Sequence, residues 1–350
     1  MAKPKKKLLP KNFEELLKDR EVSELRSIFE ACDLNARGGY AKKTALAFDN
    51  CPDELAHWLV SQGADLSATD TWGHTPLHTR SRSRTGRIEI LLELGADVNS
   101  NSATIGTPLH AAAASYNAPN ARLLVERGAH VDARNREGMT PLEVALSRCS
   151  NIDLEQMVPL AEHLLSVGAS LTPRMKAFVE EIGKRFEFHR SGFNVDSVDA
   201  ASNALGCLYA MFDVAPVPRR AVHDGTSQID VKAGSWQDQH QSLWELLVPS
   251  SGHAATVQGE VIRASGRIVN ELDGNGGINW DDDFRKMADA FLGNLRKGTP
   301  LSPSTLAEAE NLVVQAKRKS GDPARMAQLA VEWVLQNPAP IVLPRPDYRR

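Results

Sequence analysis

Four threonines, Thr44, Thr75, Thr107 and Thr140, open four stretches of similar sequence at steps of 31, 32 and 33 residues. Such spacing constrains a chain more than its composition does, because a unit this short cannot bury its own apolar face and must stack on copies of itself. A second register supports the first. Cys32-Asp33-Leu34-Asn35-Ala36, Gly63-Ala64-Asp65-Leu66-Ser67, Gly95-Ala96-Asp97-Val98-Asn99 and Gly128-Ala129-His130-Val131-Asp132 recur at nearly the same distance.

Each repeated position has a physical task. Thr75, Thr107 and Thr140 stand where a hydroxyl can accept from the free amides of a helix start. Pro76, Pro108 and Pro141 follow at the first helical position, where a missing N–H costs nothing. Gly63, Gly95, Gly128 and Gly168 end a second helix, where a left-handed residue is favoured. Leu77, Leu109 and Leu142, with the pairs Leu91-Leu92, Leu123-Leu124 and Leu164-Leu165, supply the apolar contacts between units.

The clearest copy, Thr107-Pro108-Leu109-His110-Ala111-Ala112-Ala113-Ala114 followed by Ala121 to Ala129, resembles the ankyrin repeat, whose period is about 33 residues. The resemblance covers roughly the first half of the chain and is to bacterial-type ankyrin proteins. It implies about five units with degenerate caps in residues 1–190: a helix pair at Phe13–Leu17 and Val22–Ala31 at one end, and a capping helix at Met175–Arg185 at the other. It also implies that His78 and His110 bond neighbouring loops, and that the chain binds a protein partner through a concave face without catalysing a reaction. Some bacterial relatives act as antidotes beside a toxin, so an immunity protein is a specific alternative. On the exposed loop tips and inner helices, the candidate partner-binding residues are Arg37, Tyr40, Trp72, Arg80, Arg82, Asn101, Tyr116, Arg134 and Arg136. Aromatic residues and arginine anchor interfaces more often than other types.

The expected fold class is all-α: an ankyrin-repeat solenoid followed by a compact helical domain over 195–336 and a proline-rich tail over 337–350. Helical spacing places helices at Ser197–Phe212, Trp236–Val248, Ala255–Leu272, Asp282–Leu295, Ser304–Lys317 and Pro323–Leu335. Thr256, Glu260, Arg263, Arg267 and Glu271 share one helix face and read as a ladder of exposed ion pairs. His223, Asp224, His240 and His253 are further polar residues that could join Glu260 and Arg263 in a pocket. The segment Glu271 to Asp282 resembles an EF-hand calcium loop, with oxygen donors at Glu271, Asp273, Asn275 and Asp282. Its first position is glutamate, its last is the short Asp282, and no paired loop accompanies it. The preferred reading is a Gly/Asn turn with acidic residues capping the next helix. A ligand-binding or catalytic role for this second domain is the competing alternative.

A net charge of -3 gives no general attraction to nucleic acid or to an anionic membrane. No apolar run is long enough to cross a bilayer. Cys32, Cys51, Cys149 and Cys207 lie far apart, which points to reduced thiols in a cytoplasm and not to a disulfide frame or zinc site. No phosphate loop, G-x-S-x-G or H-E-x-x-H motif is present, so no catalytic residue, metal or cofactor is expected. Pro4-Lys5-Lys6-Lys7 reads as a solvated tail in preference to a nuclear address.

Overall fold

A computed structural model describes residues 4–349. The chain divides into two compact units, Met1–Phe186 with Asn194–Val217, and Glu187–Phe193 with Pro218–Arg350. The Met1–Lys3 part of the basic N-terminus lies outside the described residues.

The first unit begins with a strand, β1 (Lys6–Leu8), two helices, α1 (Phe13–Asp19) and α2 (Val22–Ala31), and two more strands, β2 (Cys32–Gly38) and β3 (Lys43–Thr44). Strand β1 runs parallel to β2, and β3 antiparallel to it. The expected solvated tail is therefore ordered from Lys6, with Lys5 Nζ donating to the Phe29 carbonyl at 2.8 Å. Phe13, Phe29 and Phe48 pack edge to face beneath, at centroid distances of 6.2 and 5.4 Å from Phe13. These buried rings close the N-terminal end of the stack.

Helix pairs follow. After the 3₁₀ turn Ala45–Ala47 come α3 (Asp53–Ser61), α4 (Pro76–Arg82), α5 (Glu89–Glu93), α6 (Pro108–Ala113), α7 (Ala118–Glu126), α8 (Pro141–Arg148) and α9 (Leu154–Ser166). Thr75, Thr107 and Thr140 cap α4, α6 and α8, each followed by proline at the first helical position. The inner helices α4, α6 and α8 pack in sequence, and the outer helices α7 and α9 pack beside them. Leu77, Leu109 and Leu142 are buried, as is one leucine of each outer pair: Leu91, Leu124 and Leu164. Gly63, Gly95, Gly128 and Gly168 all have φ between +87° and +99°, with no atom near an added Cβ. Backbone conformation, not crowding, selects glycine there.

The array does not end at the expected capping helix. α10 (Pro173–His189) is followed by α11 (Val195–Phe212), which packs on α9 and extends the outer row. At Gly183 an added Cβ would lie only 2.0 Å from Tyr209 Oη, so the absent side chain permits the close approach of α10 and α11. The first unit thus runs to Val217, whereas the sequence reading placed Ser197–Phe212 in the second domain. Helical spacing identifies such a helix but not its neighbours.

The second unit contains α12 (Trp236–Leu247), α13 (Val257–Val269), α14 (Asp282–Asn294), α15 (Pro303–Lys317) and α16 (Pro323–Gln336). Helix α13 lies at its centre, against α12, α14 and α16, and is buried on every side from Val257 to Ser265. A helix so placed must satisfy its own polar groups. Gln258 donates to the carbonyls of Asn337 and Ala339 at 2.9 and 2.7 Å and accepts from Ile341 N–H at 3.0 Å. The proline-rich tail is thereby held along α13 as an ordered strap, and its Tyr348 is 2% exposed.

Candidate partner-binding groove

The groove lies in the first unit, between the loop tips and the inner helices. Asp70 shapes the tip: its carboxylate accepts from Trp72 N–H at 2.8 Å and from His74 N–H at 2.9 Å. Asn135 does the same two units later, accepting from Glu137 and Met139 N–H at 3.0 Å each. This turn, completed by Gly73 at φ +79°, places the Trp72 indole beside Tyr40 of the preceding tip. Tyr40, 94% exposed, and Trp72, 47% exposed, lie 6.0 Å apart. The ring row continues to His74 at 6.3 Å and from there to buried His78 at 6.1 Å. Beside these rings is a groove of about 410 Å³ whose walls include Tyr40, Trp72, His74, Thr79 and Arg82. Burial, with the Arg82 charge nearby, lowers the His74 pKa against the opposing pull of Asp70.

Of the residues proposed from sequence, Tyr40, Trp72 and Arg82 share this groove. Asn101, Arg134 and Arg136 are exposed farther along the stack and outside it, with Arg134 donating to the Gly138 carbonyl at 2.7 Å. Arg37 is half-buried and braces the neighbouring tip by donating to the Thr69 carbonyl and, at 3.4 Å, to that of Lys42. Tyr116 is half-buried at φ +54°, and burial near Cys149 and Asp153 raises its phenol pKa.

Arg80 is a correction. It is completely buried and donates to the carbonyls of Cys51 at 3.2 Å and Arg87 at 3.0 Å, so it holds the stack together and is closed to a partner. His74, Lys43 and Asp49 also line the groove and were missed. The signal available for His74 was its place two residues beyond Trp72 on the same tip.

His78 and His110 take the positions the resemblance implied. His78 Nε2 lies 2.8 Å from the Gly106 carbonyl, and His110 Nε2 lies 3.0 Å from that of Met139. Burial pushes the His78 pKa down to about 4 and lowers that of His110. Both are structural and neutral.

In the second unit, the calcium-like donors do not converge. The Glu271 carboxylate, 5% exposed, is occupied by Asn279 N–H at 2.5 Å and Asn275 Nδ2 at 3.0 Å, while Asp282 faces Arg285 and caps no site. Among the described residues, no group of three or more His, Cys, Asp or Glu is arranged to hold a metal. The ladder expected to be exposed is also corrected. Glu260 and Arg263 are buried, paired through both carboxylate oxygens at 2.7 and 2.9 Å, and covered by Tyr348, whose hydroxyl donates to Glu260 at 2.5 Å. His253 joins this cluster, 3.1 Å from Arg263, whereas His223 and His240 lie apart from it. Despite burial, the Arg263 bonds hold the Glu260 pKa below its ordinary value.

Threonine-capped helix pairs stacked at this period, with His78 and His110 each bonding its unit to the next, define an ankyrin-repeat protein. The sequence pattern described as "Ankyrin repeats (3 copies)" matches residues 44–135 and 84–172. The chain is similar to the "Neurogenic locus Notch protein" of Drosophila melanogaster, 37% identical over 116 residues, which are 32% of this chain and 4% of that one. It is similar to the "Putative palmitoyltransferase ZDHHC13" of Danio rerio, 33% identical over 138 residues, 38% of this chain and 19% of that one. To human "Rabankyrin-5" it is 30% identical over 128 residues, 32% of this chain and 11% of that one. The chain therefore spans a small part of the length of each. Ankyrin repeats form protein-interaction domains. No helix among the described residues is long and apolar enough to cross a membrane.

Proposed function

We propose that this chain is a non-enzymatic binding protein that recognises a protein partner through the groove between Tyr40, Trp72 and Arg82. The observation that carries this reading is the exposed Tyr40–Trp72 ring pair at the groove mouth. Large rings left in water are costly to a free protein and useful to a complex. Arg82 on the wall adds a charged donor for an acidic or carbonyl-bearing group of the partner. A reducing, cytoplasmic setting belongs to the same proposal and is supported by four free cysteines, three of them buried.

The test compares affinity capture by the full chain with capture by Trp72→Ala, Tyr40→Ala and Arg82→Ala, and by the outer-helix control Glu126→Ala. Proteins retained by the parent and the control but lost from the groove variants support the reading. Equal retention by all four variants, with unchanged melting, overturns it.

A further inference from the structure

A second cleft lies outside the repeats. It lies in the second unit, has a volume of about 810 Å³, and is bordered by α12 on one side and by the end of α13 with its following turn on the other. That volume is within the ordinary range for small-molecule sites, roughly 300–1,000 Å³. We propose that this cleft binds a neutral oligosaccharide. The proposal is independent of the partner-binding role of the repeats.

One wall is aromatic. Trp236, His240 and Trp244 stand at i, i+4 and i+8 on α12, all half-buried and all bordering the cleft. At 1.5 Å per residue the row is about 12 Å long, which suits several linked rings better than one. His240 and Trp244 stack at 6.4 Å. Gly266 fixes them against α13: an added Cβ there would meet Trp244 at 2.6 Å and His240 at 3.1 Å. The C–H face of a pyranose is apolar with slightly positive hydrogens, and it complements the negative face of such rings.

The other wall is polar. Here α13 passes into a π-helical turn, Asn270–Gly274, a feature that often marks functional sites. The buried Glu271 carboxylate, bonded to Asn275 and Asn279, fixes that turn. Asn270 and Asp273 of that turn, with Arg267 near the end of α13, border the cleft. Guanidinium, amide and carboxylate groups are planar, and together they offer donors and acceptors to pairs of neighbouring hydroxyls.

Charge decides against other ligands. Among the described residues, Arg267 is the only Lys or Arg bordering the cleft, and Asp273 and Glu271 lie on the same wall, so a phosphate would meet as much repulsion as attraction. Burial lowers the His240 pKa, which leaves that ring neutral near pH 7. A wholly apolar ligand would displace water from the Asn270 and Asp273 side chains without replacing its hydrogen bonds. A neutral, hydroxyl-rich molecule with apolar ring faces satisfies both walls.

The experiment applies the full chain to a printed array of neutral and anionic oligosaccharides, then titrates the strongest neutral ligand in solution by tryptophan fluorescence. The expected result is a neutral ligand whose affinity falls roughly tenfold in Trp236→Ala, a typical loss for a tryptophan anchor. Asp273→Ala weakens it too, Trp244→Phe retains most of it, and Trp72→Ala in the repeats changes nothing. A blank array, binding to anionic glycans alone, or unchanged affinity in both Trp236→Ala and Asp273→Ala overturns the proposal.

Discussion

His78 Nε2 lies 2.8 Å from the carbonyl oxygen of Gly106, 28 residues later, while its Nδ1 accepts from Thr75 N–H at 3.3 Å. The ring is therefore neutral with its proton on Nε2, and it caps its own helix as it ties down the next loop. His110 repeats the arrangement. In the following unit Glu143 takes the position: its carboxylate accepts from Thr140 N–H at 2.9 Å and from Thr172 Oγ1 at 2.8 Å. One row of side chains thus bonds three successive units.

That row makes the repeat stack acid-sensitive. His78 titrates at about 4 in the folded chain against 6.5 when unfolded, so between those values the unfolded chain binds more protons. Stability is then full above about pH 6.5 and declines as pH falls toward 4. His78 alone contributes at most about 3 kcal/mol to this loss, and His110 acts in the same direction. Urea unfolding of the full chain at a series of pH values measures the slope, which His78→Gln should flatten between pH 6.5 and 4.

Glycines at the loop ends should differ in their cost on substitution. Gly128 has φ +87° with open space around an added Cβ, so Gly128→Ala carries only backbone strain, about 1 kcal/mol. At Gly106, φ +97°, the same methyl would meet His110 Nδ1 at 2.8 Å and Asn135 Cβ at 2.9 Å. Gly106→Ala should cost roughly 2–4 kcal/mol and disturb the histidine row. Paired denaturation curves will separate the two.

The repeat was legible because its signals are local: Thr before Pro, and Gly after the leucines, act within a turn of their own helix. What escaped the sequence depends on distant partners. Glu260 and Arg263 look like an exposed pair by helical spacing, and they are buried because Tyr348, 88 residues beyond Glu260, closes over them. Helix α11 is legible at nearly its true bounds but its unit is not, since its contact with α9 leaves no periodic trace. In the groove, Tyr40 and Trp72 were recognisable as exposed rings on repeated tips, whereas their 6.0 Å approach required the fold.

Arg80 and Arg82 make the same point as a testable contrast. They are two residues apart on α4, but the carbonyls of Cys51 and Arg87 draw Arg80 inward, and Arg82 remains exposed. Arg80→Ala leaves buried carbonyls unsatisfied and opens a void, and should destabilise the first unit by about 2–4 kcal/mol. Arg82→Ala should stay within about 0.5 kcal/mol of the parent while weakening partner capture. Thermal melts of the two variants beside capture assays test both halves.

Tyr348 offers a corresponding test in the second unit. Burial first, and then the Glu260 charge, raise its phenol pKa, so the hydroxyl keeps its proton and donates at every physiological pH. Glu260 carries its charge in a buried site and depends on Arg263, Ala254 N–H and this phenol for its hydrogen bonds. Tyr348→Phe removes one charge-assisted bond, keeps the ring over His253, and should cost roughly 1.5–3 kcal/mol. Glu260→Gln lacks the charge that makes that bond strong, so adding Tyr348→Phe to it should cost less than it does alone. A double-mutant cycle measured by urea unfolding gives the coupling directly. A coupling near zero would mean that the strap is held by its backbone bonds to α13 and not by its buried tyrosine.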